Sequence, residues 1–215
     1  MSAEPSERPA FDAMRDPSAL RLVAMTDNLR DGVAGLVLRA QAACRGGATM
    51  VHLRLPDEEP RTVASAARAL ASAIPVPLVV HGRIDIALAT GARGVHLGVR
   101  DIPPDEARRL AGEDFIVGKS LGVEEEDAAL SSIDYVTVGP IFPAERRGAG
   151  ELGIERLGAI VKNLSVPVVA IGGISAQSAP SVVRAGARGV ALISGIFGAR
   201  DPEAATRAVR AAIET

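Results

Sequence analysis

Val166-Pro167-Val168-Val169-Ala170-Ile171-Gly172-Gly173-Ile174 and, further on, Gly189-Val190-Ala191-Leu192-Ile193-Ser194-Gly195-Ile196 are two runs of one kind. Each is apolar, rich in β-branched residues, and meets glycine at its end. Bounded by turn residues, such a run reads as a strand buried on both faces, as in a parallel sheet. Terminal glycines leave backbone N–H groups uncovered, and where a helix N-terminus follows, those groups suit a phosphate dianion. The two runs are the last two strands of the chain, where an eight-stranded βα barrel grips phosphate. Gly172, Gly173, Ser194 and Gly195 are therefore the expected phosphate contacts. The bland alternative is that these glycines only make tight turns between strand and helix.

Working back from there, strands and helices alternate. Apolar strand patterns occupy Leu20 to Met25, Met50 to Leu53, Leu78 to Val80, Gly94 to Leu97, Phe115 to Gly118 and Tyr135 to Val138. Helical spacing occupies Gly32 to Arg45, Arg61 to Ile74, Ile84 to Thr90, a segment opened by Pro103 and Pro104, Glu124 to Leu130, and Ile154 to Asn163. Asp201-Pro202-Glu203 opens the last helix with an N-cap, a proline and an acid in turn. Alternating βα units predict a parallel sheet, and eight of them predict closure into a single (β/α)8 TIM barrel. A doubly wound open sheet is the runner-up, but its nucleotide-binding glycines usually follow the first strand, and Thr26-Asp27-Asn28 has none.

Composition agrees. Apolar residues make up 47% of the 215, and aromatics only 2%, so the core must be aliphatic, as barrel interiors are. A net charge of −2 argues against a nucleic-acid partner, and no apolar run reaches membrane-spanning length. The single cysteine, Cys44, sits in an apolar helical pattern, which excludes a disulfide scaffold and favours a small buried hydrophobe. Residues 1–18, polar and proline-bearing, read as a disordered leader, and 19–215 as the barrel. A cytoplasmic location is the default expectation. A homo-oligomer is expected for a barrel this small.

Residues just after each strand line the active face of a βα barrel. They include Thr26, Arg54, His81, Lys119, Ser120 and, in the Gly-rich loop after the sixth strand, Arg147, with Asp101 a little beyond the fourth. His52 precedes Arg54 by two and by alternation points the same way. His81 at the mouth, with His52 behind it, is the expected proton shuttle, since histidine titrates near neutrality. The rival reading of His52 is a satisfied interior side chain, and His96 reads as structural. Arg54, Lys119, Arg146 and Arg147 are the expected neutralisers of a bound anion, the rival reading of Arg146-Arg147 being a solvated loop pair. Asp101 is the candidate ligand for Mg²⁺ carried on substrate phosphates. Gly148, Gly150 and Gly153 would allow the loop over 144–152 to close as a lid.

Several of these runs carry a resemblance. Leu22-Val23-Ala24-Met25-Thr26-Asp27, Val51-His52-Leu53-Arg54, Arg83-Ile84-Asp85-Ile86-Ala87-Leu88, Gly94-Val95-His96-Leu97-Gly98, Gly139-Pro140-Ile141-Phe142-Pro143 and Val168 to Ile174 keep their order from Leu20 to the C-terminus. Together they resemble the thiamine phosphate synthase/TenI group of βα barrels. The resemblance implies thiamine biosynthesis and a phosphorylated thiazole as small-molecule partner. The synthase joins a thiazole phosphate to a hydroxymethylpyrimidine pyrophosphate with Mg²⁺ and releases pyrophosphate. TenI isomerises a thiazole carboxylate phosphate by moving a proton and requires no cofactor.

The sequence departs from both patterns. Where the synthase has Asn-Asp, this chain has His81-Gly82; the lysine of its Arg-Glu-Lys run is Pro56; its Thr-x-Thr-Lys loop reads Ala144-Glu145-Arg146-Arg147. Arg54, Asp101 and Ser120 are kept. Where TenI has a Ser-x-His run, this chain has Ser120-Leu121-Gly122. The lost carboxylate and threonines favour a TenI-like isomerase with His81 as relocated base. A divergent synthase is the alternative, and a non-catalytic phosphate-ligand sensor on the same scaffold is the third reading.

Overall fold

In the computed structural model, residues 17–121, 127–143 and 151–214 are described. The expected leader up to residue 16, and Arg147 with most of the expected lid, lie outside them. Pro17–Leu20 is a turn of 3-10 helix that leads into the barrel.

Eight four- or five-residue strands form the wall: β1 (Leu22–Met25), β2 (Met50–Leu53), β3 (Leu78–His81), β4 (Gly94–Leu97), β5 (Ile116–Ser120), β6 (Tyr135–Val138), β7 (Val168–Ile171) and β8 (Gly189–Leu192). All neighbours pair in parallel and in sequence order, and β8 returns to β1, so the sheet closes. The helices outside it are α1 (Gly32–Arg45), α2 (Pro60–Ala73), α3 (Ile84–Thr90), α4 (Pro104–Ala111), α5 (Gly153–Asn163), α6 (Ala179–Arg184), α7 (Ser194–Phe197) and α8 (Pro202–Ile213). The helical segment expected from Glu124 differs: from Asp127 to Ser132 the chain is 3-10 helix. The short α7 was not foreseen, because Leu192-Ile193 continues the apolar run without a break. Among the described residues, no helix is long and apolar enough to cross a membrane.

Strand alternation splits the core in two. One face, with Leu22, Ala24, Val51, Leu53, Val80, Val95, Val117, Val136 and Val168, packs outward on the helices. The other face fills the lumen with Val23, Met50, Val79, Ile116, Tyr135, Val169 and Ala191. Tyr135 fits because Gly118 lies beside it: a Cβ on Gly118 would sit 2.3 Å from the ring. Polar contacts also tie the outer helices down, as where Arg45 on α1 meets Glu203 on α8 at 2.8 Å. Asp201 caps α8 by accepting from the Ala204 N–H at 3.0 Å. Arg39, almost buried, pairs with Asp31 and donates to the Asn28 carbonyl, which fastens the loop after β1 onto α1.

Candidate active site

Above the apolar plug, the next lumen positions are polar. Register sets His81 beside His96 across β3 and β4, His96 beside Gly118, and Ser120 beside Thr137 across β5 and β6. The rings of His52 and His96 lie 5.1 Å apart and those of His81 and His96 5.3 Å apart. A hydrogen-bonded chain joins most of this layer. Tyr135 Oη meets His52 Nε2 at 2.8 Å and His96 Nδ1 at 3.1 Å. His96 Nε2 lies 3.0 Å from Ser120 Oγ and 3.2 Å from Thr137 Oγ1. The Nδ1 atoms of His52 and His81 are buried without a partner among the described residues.

Burial disfavours the charged form of all three imidazoles. His52 is pushed down to about 3, first by burial and then by the charge of His81. His96 is lowered by burial, then by His52, His81 and Lys119. His81 is lowered by burial and by the Arg54 guanidinium, while Asp101 acts the other way. Burial raises the Tyr135 phenol, so it keeps its proton. A neutral His81 at the rim has the form a general base needs.

Of the expected site residues, His81 and Asp101 come together at one side of the mouth, where a Cβ on Gly98 would sit 3.9 Å from His81 Nε2 and 3.2 Å from Asp101 Oδ2; the Arg54 guanidinium is near enough to bear on His81. His52 and Ser120 belong to the same constellation through Tyr135 and His96. Gly173, Ser194 and Gly195 are exposed at the ends of β7 and β8, with Gly172 half-buried beside them. Gly172 (φ 95°) and Gly173 (φ 68°) are both left-handed. A Cβ on Gly172 would sit 2.6 Å from Pro140 Cβ, and one on Gly173 2.6 Å from the Pro143 carbonyl. Glycine is therefore required there by the loop after β6 as well as by the turn.

Two residues are placed otherwise than expected. Thr26 is fully buried. Its hydroxyl donates to the Arg54 carbonyl at 3.0 Å and accepts the Arg54 N–H at 2.8 Å, because alternation turns Thr26 away from the lumen. Lys119 leaves β5 on the face opposite Ser120, though its charge still bears on His96.

Asp101 lies just beyond β4. It is exposed, and its Oδ2 accepts the Gly98 N–H at 2.6 Å. Gly82 lies across from it, close enough that a Cβ there would be 3.2 Å from Oδ2. Among the described residues no group of three His, Cys, Asp or Glu side chains is placed to hold a metal ion. A Mg²⁺ carried on substrate phosphates needs only one or two carboxylates from the protein, so Asp101 remains its candidate ligand.

Tyr135, Thr137 and His96 were not named as site residues by sequence reasoning. The signal was present in Tyr135-Val136-Thr137-Val138, whose alternation sets both hydroxyls on one face.

Residues 22–196 match the family described as thiamine monophosphate synthase. The chain is 39% identical to a thiamine-phosphate synthase of Azorhizobium caulinodans, covering 94% of this chain and 99% of the relative. It is 41% identical to one of Roseiflexus castenholzii, covering 96% and 94%. Among solved structures it is similar to a thiamine phosphate pyrophosphorylase from Pyrococcus furiosus, with a TM-score of 0.81, 33% identity, and 92% and 97% of the two chains covered. A 3-hexulose-6-phosphate synthase at 21% identity and a TM-score of 0.72 shares the fold.

Proposed function

Since the chain belongs to the thiamine monophosphate synthase family, and with it to thiamine biosynthesis, we propose that it is a thiamine-phosphate synthase-type transferase. The observation that carries this reading is identity of 39–41% along nearly the whole length of relatives named for that activity. It displaces the isomerase expected first from the sequence, for which no relative described above speaks.

In this reading the exposed turns after β7 and β8, with Gly172, Gly173, Ser194 and Gly195, receive the phosphate of the thiazole. Arg54 stabilises the charge that grows on the departing pyrophosphate, a role suited to a guanidinium fixed at the rim. Its main chain is pinned by Thr26, so the side chain starts from a defined position. Lys119 adds positive charge near the layer and Ser120 contacts the substrate; Arg147, outside the described residues, keeps the anion-neutralising role its sequence position suggests. His81, whose neutral form burial favours, is the group available to move a proton. Magnesium belongs to the synthase reading, where Asp101 would hold it together with the substrate phosphates.

One observation favours a second reading. Gly82 leaves Asp101 without a companion carboxylate, and His81 stands beside that gap. This suits proton transfer on a thiazole carboxylate phosphate better than release of pyrophosphate.

The test is a pair of assays on wild type and His81→Ala. Release of pyrophosphate from hydroxymethylpyrimidine pyrophosphate and thiazole phosphate, measured with and without Mg²⁺, is the expected result. Aromatisation of the thiazole carboxylate phosphate that collapses in His81→Ala, with no pyrophosphate released, would replace the transferase by the isomerase. Binding of phosphorylated thiazole without either turnover would leave the sensor.

A further inference from the structure

Ser120, His96 and Tyr135 have the spacing of a nucleophile, its base and the group that orients the base. Whether they act as one depends on which way the protons point. We propose that they do not: His52, Tyr135 and His96 are positioning residues that fix Ser120 as a hydrogen-bond donor to the bound substrate.

The direction is decided at the far end of the chain, at His52. Its Nε2 faces Tyr135 Oη at 2.8 Å, and its Nδ1 is buried with no partner among the described residues. A neutral ring carries one N–H. On Nδ1 that N–H would be a stranded donor; on Nε2 only a lone pair is left over. Stranding a buried polar group costs about 1–3 kcal/mol, and orphaned N–H groups are rarer than under-used acceptors. His52 therefore donates from Nε2 to Tyr135 Oη. Tyr135 donates its O–H to His96 Nδ1, so the ring proton of His96 sits on Nε2.

From Nε2 that proton goes to Ser120 Oγ at 3.0 Å, with Thr137 Oγ1 at 3.2 Å on the same side. The Thr137 hydroxyl in turn donates to Ser120 Oγ at 3.3 Å. Ser120 Oγ then accepts twice, which fills its lone pairs. Its own O–H is left for the partly exposed side, toward the mouth. The substrate atom it meets must be an acceptor: an anionic oxygen or an unprotonated ring nitrogen. His96 has no free lone pair on that side, so it cannot take the serine proton. This polarity holds whichever reaction the barrel performs.

Long-range ¹⁵N–¹H NMR of the intact, histidine-labelled protein reads the tautomers. His52 and His96 are expected to carry the proton on Nε2, and neither ring to titrate between pH 5 and 8. A proton on Nδ1 of His96, or titration of either ring in that range, overturns the proposal. So does a fluorophosphonate probe that labels Ser120 in the wild type, located by mass spectrometry and lost in Ser120→Ala. Calorimetry with hydroxymethylpyrimidine pyrophosphate tests the donor: Ser120→Ala should bind it about tenfold more weakly, and unchanged affinity sinks that role. Failure of the wild type to bind this compound counts against the transferase, while the tautomers still decide the polarity of Ser120.

Discussion

Thr26 is a hydroxyl that serves the main chain. Its two hydrogen bonds satisfy both the N–H and the carbonyl of Arg54, at the point where β2 has ended and the ladder no longer does so. Thr26→Val keeps the shape and removes both partners. The loss should be about 1–3 kcal/mol in urea unfolding, the cost of stranding those groups. It should also lower kcat more than it raises KM, because the Arg54 side chain, which meets charge that grows only as pyrophosphate departs, loses its anchorage. An unchanged unfolding midpoint would mean that water replaces the threonine. The alternation of His52 with Arg54 was legible in the sequence. The alternation of Thr26 was not, because Met25-Thr26-Asp27 runs out of the strand and its facing depends on where the strand stops.

At the level of elements, β5 and β6 are a matched pair. Gly118 is glycine because the Tyr135 ring occupies the space of its Cβ. Gly118→Ala should destabilise the barrel by about 1–3 kcal/mol, the usual range for overpacking a filled core. It should also pull Tyr135 off His52, which the His52 imidazole ¹⁵N shifts would report. A variant as stable as the wild type with unaltered shifts would show that the ring has room to spare. The β7 turn has a similar logic. Gly172 and Gly173 read from sequence as a phosphate grip, yet the loop Pro140–Pro143 presses on the place of both side chains. The sequence carried the requirement for glycine without the reason, since the loop and the turn are neighbours only once β6 and β7 are paired.

For the molecule as a whole, the buried histidines make stability depend on pH. All three have folded-state pKa values below that of the unfolded chain, so in acid the unfolded chain takes up protons that the native barrel excludes. Their contribution is complete above the unfolded value, about 6.5, and is lost as pH falls below it. For His52, with a folded value of about 3, the loss between pH 7.5 and 5 is about 2 kcal/mol. Urea midpoints should fall over that range, and less steeply in His52→Gln. Equal slopes in the two proteins would show that His52 is protonated in the native state.

The amino-acid sequence by itself determined the eight alternating units, their closure, the strand ends that carry Arg54, His81 and Ser120, and the family. Those features are local: period-2 patterns, glycine and proline stops, and short runs read in order. The tertiary structure alone decided which inward side chains meet. His52 and Tyr135 are 83 residues apart and stand on β2 and β6, on different sides of the lumen. Alternation says that each points inward. Only the stagger of a closed sheet brings Tyr135 Oη within reach of both His52 and His96, and so sets the direction in which Ser120 offers its proton.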